Sequence, residues 1–227
     1  MNIGKLQRKE RGFTLIEIAI VLVIIGLLLG GVLQGQQLIE NSRVKSATND
    51  FNGIAAGAFS YQDRYGRLPG DDPGALNTRG ASWPATSAMA AGDADGVLNA
   101  PATDAFKATD EVGFFFSNLR SAGFISGDPA STGVKALPAN PFGGLITMVT
   151  DQILKDASGN FQNGTKICMG NVSGTAAIAL DTQLDDGNSS TGRFRASDSS
   201  TAPNKDPSDT ADTAYSEDKS YTVCYRI

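Results

Sequence analysis

From Phe13 to Leu33 the chain offers 21 consecutive residues in which the only polar side chains are Thr14 and Glu17. As a helix this run spans roughly 30 Å, the thickness of a bilayer's hydrocarbon core. Ahead of it, residues 1–12 hold Lys5, Arg8, Lys9 and Arg11 against Glu10, a local charge of +3 that leaves −8 on the remainder of a chain whose net charge is −5. Basic residues before an apolar span keep the N-terminus on the cytoplasmic side and send the downstream chain across the membrane. A cleaved secretory signal would need a shorter core and an A-x-A-like site, whereas this run is followed by GGVLQGQQLIE. A lipoprotein signal would need a cysteine at its end, and there is none near it. A plain anchor survives but leaves Glu17 unexplained, because a carboxyl at membrane depth costs roughly 2.5 to 3.5 kcal/mol on insertion scales. An acid kept there implies a partner.

Composition narrows the chemistry of the rest. The chain has no histidine, which removes Ser-His-Asp and Cys-His nucleophiles and the usual zinc and non-haem iron ligand sets. An acidic remainder is also the wrong electrostatic footprint for nucleic acid. Cys168 and Cys224 are far apart and form no CxxC pattern. They fit one structural disulfide in an oxidising compartment, with two buried free thiols as the alternative.

The stretch Arg11-Gly12-Phe13-Thr14-Leu15-Ile16-Glu17 resembles the processing signal of type IV pilins and type II secretion pseudopilins. The resemblance implies cleavage by prepilin peptidase between Gly12 and Phe13, N-methylation of Phe13, and a subunit-assembly role for Glu17, which would pair with the Phe13 amine of a neighbouring subunit. Such a pairing supplies each buried charge with its opposite. The implied partners are the peptidase, other pilin or pseudopilin subunits, the inner-membrane assembly platform and inner-membrane lipid. The implied location is the inner membrane, single-pass, with the head in the periplasm and then in a periplasmic or extracellular filament. One departure stands out: where many family members have a proline, this chain reads Gly30-Gly31-Val32-Leu33-Gln34-Gly35. Glycines weaken a helix by about 1 kcal/mol each relative to alanine, so a bend there would have a different cause.

Beyond the membrane, Val44, Ala47, Phe51, Ile54, Ala58, Tyr61 and Tyr65 step by three and four, the stripe of a helix docked on a partner surface. Gly66 and Leu68-Pro69-Gly70 predict its end. The domain reading is a leader over 1–12, a transmembrane and filament-core helix over 13–33, its amphipathic continuation over 34–66, and a globular head over 67–227. The fold class expected is α+β: a long N-terminal helix packed on a small antiparallel sheet. In the head, a loop comes first. A helix is expected near Thr109 or Asp110 with Val112, Phe115, Phe116 and Leu119 on one side and Gly123 as its stop. Strands are expected over 145–150, 166–169, 192–196 and 221–227, and a helix over 175–184. Cysteines in two of those strands would let a disulfide close the C-terminal region, again a family-like arrangement. The Ser- and Asp-rich tract 197–220 reads as an exposed loop.

Two acidic loops invite metal chemistry. GDADGVLNAPATD places Asp93, Asp95 and Asn99, with Asp104 at the edge, around a glycine turn suited to calcium, though not at EF-hand spacing. LDTQLDDGNSSTGR offers Asp181, Asp185 and Asp186. Asx turns facing solvent would use the same residues. The function expected is structural and non-enzymatic, with calcium as a possible ligand: a filament subunit, by its large head a minor pilin or pseudopilin. The alternative is a membrane-anchored periplasmic binding or hydrolytic domain that keeps residues 1–12.

Overall fold

The computed structural model describes residues 12–77, 79, 82, 83, 92–108 and 110–227. The expected leader up to Arg11, and Thr109 as an expected cap, lie outside the described residues. The chain divides into two compact units, Met1–Asn41 and Ser42–Ile227.

The first unit contains the apolar part of helix α1, which runs over Leu15–Tyr65. None of its most apolar eighteen-residue window is buried. Gly30, Gly31 and Gly35 sit inside the helix without ending it. A helix apolar on every side belongs in a medium that is itself apolar.

The second unit is α+β. Here α1 switches from uniform apolarity to a stripe, and Val44, Ala47, Phe51, Ile54, Ala58 and Tyr61 are all buried. The helix ends at Gly66, whose positive φ of 69° lets its N–H bond Gln62 at 2.8 Å, a left-handed C-cap. The chain then starts a short helix, α2 (Pro73–Asn77), where a loop is expected. Its cause is local: the Asp72 carboxylate accepts the Gly74 N–H at 2.9 Å and Pro73 takes the first helical position, where its missing N–H costs nothing.

Helix α3 (Asp110–Ser121) buries Val112, Phe115, Phe116 and Leu119. It closes in a Schellman arrangement: the Phe124 N–H donates to Leu119 O at 2.9 Å and the Gly123 N–H to Arg120 O at 3.0 Å. Beyond it lie four strands, β1 (Ile146–Val149), β2 (Lys166–Ser173), β3 (Phe194–Asp198) and β4 (Ser220–Arg226), in the order β1-β2-β4-β3, with every pair antiparallel. Helix α4 (Gly174–Leu184) begins directly at the end of β2, with Ser173 as its N-cap. Close packing there demands glycine, since a Cβ on Gly174 would lie 2.0 Å from the Ser216 carbonyl oxygen.

Three sequence expectations shift. Strand β2 runs to Ser173 rather than Met169, because the pairing with β4 resumes at Val172 after an irregularity that Asn171 absorbs at φ 59°. Strand β3 starts at Phe194, two residues later than expected, because Gly192 (φ 71°) belongs to the preceding turn. The tract 197–220 is not a free loop: it enters β3, and Ala211, Ser199 and Ser197 are buried. Its backbone is stitched to the head through Lys155 N–H to Asp209 O at 2.7 Å, Ala211 N–H to Lys155 O at 3.0 Å and Asp212 N–H to Ala196 O at 2.9 Å. Composition suggested solvation, but backbone pairing depends on no side chain.

Cys168 and Cys224 are joined in a disulfide. They face each other across the central strand pair, β2 and β4, and both are fully buried. The core seam lies between α1 and the sheet, where Phe51 meets Phe194 and Tyr225 edge-on at 6.0 and 5.7 Å between ring centroids. Truncating a buried Phe costs about 3–5 kcal/mol. Phe51→Ala is therefore expected to lower the chemical-denaturation midpoint of the full chain by that equivalent, whereas Asn52→Ala on the exposed face of the same turn changes it by less than about 0.5 kcal/mol.

Candidate functional site

The N-terminal end of α1 carries the first group of candidate residues. Gly12 and Phe13 precede the helix; a Cβ on Gly12 would meet nothing within 4 Å, and Phe13 is 84% exposed. The peptide bond expected to be cut lies between these two exposed residues. Thr14 and Glu17 form a capping box. The Glu17 carboxylate accepts the Thr14 N–H at 2.9 Å and the Thr14 hydroxyl at 2.8 Å, while the Glu17 N–H donates to the Thr14 hydroxyl oxygen at 3.3 Å. The sequence left Glu17 without a companion in its own helix. The structure supplies one, and it ties up two polar groups that would otherwise stand alone at the head of an apolar span.

The first acidic loop gathers a different set from the one its sequence suggested. Asp93 is joined by Asp71 and Glu111, with carboxylate oxygens within 4.8 Å of one another. Asp71 is buried and accepts the Ala94 and Gly96 N–H groups at 2.6 and 2.8 Å, so it shapes the loop from outside. Glu111, from the first turn of α3, accepts the Asn99 N–H at 2.5 Å. Burial pushes the Glu111 carboxyl up, and the neighbouring Asp71, Asp93 and Asp95 charges push the same way. Asp95 is outside the trio; its carboxylate accepts the Val97 N–H at 2.7 Å. Asn99 contributes its backbone to Glu111, and Asp104 pairs with Lys107. Asp71 precedes Asp93 by 22 residues and Glu111 follows it by 18, and no local spacing pattern announces them.

The second acidic loop does bring Asp181, Asp185 and Asp186 together, again within 4.8 Å. Each carboxylate is already engaged. Asp181 accepts the Tyr215 hydroxyl at 2.7 Å and the Gly187 N–H at 3.0 Å. Asp185 accepts the N–H groups of Arg193 and Phe194, which sets where β3 begins. Asp186 accepts the Asn188 N–H at 2.9 Å and the Thr191 hydroxyl at 2.6 Å. A Cβ on Gly192 would lie 1.9 Å from the Asp185 carboxylate, so only glycine leaves room for this cap. The three acids thus organise a turn.

Burial raises the Asp181 carboxyl to about 6, with Asp186 and Asp185 adding to the rise against the opposing bonds from Tyr215 and Gly187. A carboxyl whose folded value lies above its unfolded one favours folding when protonated; that contribution is complete below about 4 and is lost as pH rises through about 6. Asp181→Asn keeps the amide oxygen as acceptor and cannot ionise. The substitution turns one of the two acceptor oxygens into an NH2 group, so the variant loses one accepted bond at every pH, while the melting-temperature difference between it and the natural chain is expected to move in the variant's favour as pH rises from about 4 to about 7. A difference that does not change across that window would remove the assignment.

No curated protein matches the chain. Residues 7–33 match the family model described as the prokaryotic N-terminal methylation motif. That match covers Gly12, Phe13, the Thr14–Glu17 capping box and the apolar run through Leu33. The chain carries the signature of the type IV pilins and pseudopilins.

Proposed function

We propose that this protein is a filament subunit, more specifically a minor pilin or pseudopilin of a type IV pilus or type II secretion filament. The observation that carries the reading is the methylation motif lying on a helix whose apolar surface is exposed all round over one part and buried as a stripe in a folded head over the other. A structural subunit needs both: one part for lipid and then for other subunits, the other to hold a head. In this reading prepilin peptidase cuts between Gly12 and Phe13 and methylates the Phe13 amine. Glycine before the cut lets the protease approach the carbonyl closely. The new cationic amine is paired by Glu17 of an adjacent subunit, in competition with that residue's own Thr14. The head stands on the periplasmic side, consistent with its buried disulfide.

Intact mass spectrometry of the protein from its own cells tests this. The expected chain begins at Phe13 and carries one added methyl group. A bulky residue at position 12 is expected to leave the uncut precursor in the membrane, and Glu17→Ala to be cut and inserted yet largely absent from sheared filaments. A natural chain that retains residues 1–12 in cells with active peptidase would sink the reading in favour of an anchored periplasmic domain.

Calcium is proposed for the first acidic loop rather than the second. Asp71, Asp93 and Glu111 are hard oxygen donors that together accept four backbone N–H groups. The Asp181 group is instead held by six N–H and O–H donors. A ligand bound only to the native state stabilises it by mass action. Chelation should then lower the melting temperature of the natural chain and leave Asp93→Ala unchanged; a chelator-insensitive natural chain would reduce the loop to Asx turns.

A further inference from the structure

One flank of the docked part of α1 borders an open groove. Asp50 and Gly53 form one wall, Ile125 and Pro138 the other, and the buried side chains of Ile54 and Ile146 make the floor. Asp50 is half-buried there and has no hydrogen bond or ion pair among the described residues. Burial pushes its carboxyl up, and no cation opposes the shift. Unpaired and partly desolvated, the acid costs stability in the isolated subunit. An apolar floor under a lone carboxylate suits a side chain with an aliphatic stem and a cationic head, which is the description of lysine.

Building on the filament reading, we propose that this groove receives the Lys45 side chain of a second copy of the chain. Lys45 is exposed and also lacks a partner among the described residues. It precedes Asp50 by five residues on the same helix, which places it about 7.5 Å along the axis and about 140° around it. Donor and receptor therefore lie on different sides of one subunit. Such a contact is head-to-tail, the kind of interface that an open filament is built from. Lys135, likewise exposed, lies in the Gly133–Ala136 turn that leads into Pro138 of the groove wall itself. Used in this way it would join two copies face to face and stop there.

The test is a charge exchange in the full chain, with sheared filaments quantified from its own cells and intact mass confirming a Phe13 start for each variant. Asp50→Lys and Lys45→Asp are each expected to reduce filament yield by about tenfold, and the double exchange to recover most of it. Asp50→Asn should have an unchanged or higher melting temperature, separating loss of the contact from loss of the fold. Wild-type yield from either single reversal, or a double exchange as poor as the singles, would overturn the groove while leaving the filament reading intact. A natural chain that is processed and never found in filaments would overturn the filament reading itself.

Discussion

The head depends on the burial of one stripe of α1 against the sheet. Phe51 stands at its centre, edge-on to Phe194 from β3 and Tyr225 from β4, and fully enclosed. A four-stranded antiparallel sheet needs one face covered to be stable, and the helix provides the cover. The disulfide between β2 and β4 ties the two middle strands together in the same layer. The far end of the stripe is closed by a polar knot. The hydroxyl of Tyr61 donates to the Asp72 carboxylate at 2.7 Å, and Arg79 pairs with that same carboxylate while stacking over Tyr65 and Trp83. The charges of Asp72 and Arg79 offset each other, which makes their burial tolerable, while the buried Arg79 Nε–H has no hydrogen-bond partner among the described residues.

One helix thus serves two environments, and its side chains change accordingly. Through Leu33 it presents apolar surface in every direction, with a single carboxylate satisfied by the capping box at its start. From Val44 on it presents apolar surface in one direction only. The capping box also alters the meaning of Glu17. Its carboxylate is already engaged by Thr14, so in the filament proposed above a cationic amine would replace that partner with a stronger, charged one.

Acidic residues in the head play several parts, and type alone does not separate them. Asp72 caps α2 and anchors Tyr61; Asp185 sets the start of β3; Asp71 shapes a loop from a distance. Asp50 does none of these and faces an open groove. The distinction lies in the surroundings of each carboxylate, since N–H donors that stabilise the charged form and apolar walls that oppose it act over a few ångströms.

By itself the sequence determined everything governed by local or periodic chemistry. The apolar run, the three-and-four stripe from Val44 to Tyr65, the Gly66 and Gly123 stops, the α+β class, the α4 segment and the approximate places of all four strands come from side-chain period and backbone freedom, which neighbours in sequence set. The methylation motif is legible for the same reason, because it is one contiguous run of residues. Only the tertiary structure decided which residues meet across the chain. It opposed Cys168 to Cys224, brought Asp71 and Glu111 to Asp93, placed Tyr215 on Asp181, and wove the 197–220 tract into the head. Those partners are 16 to 56 residues apart in sequence. Their meeting is fixed by strand register and helix docking, which maximise buried area for the chain as a whole and leave no mark in the spacing of any one segment.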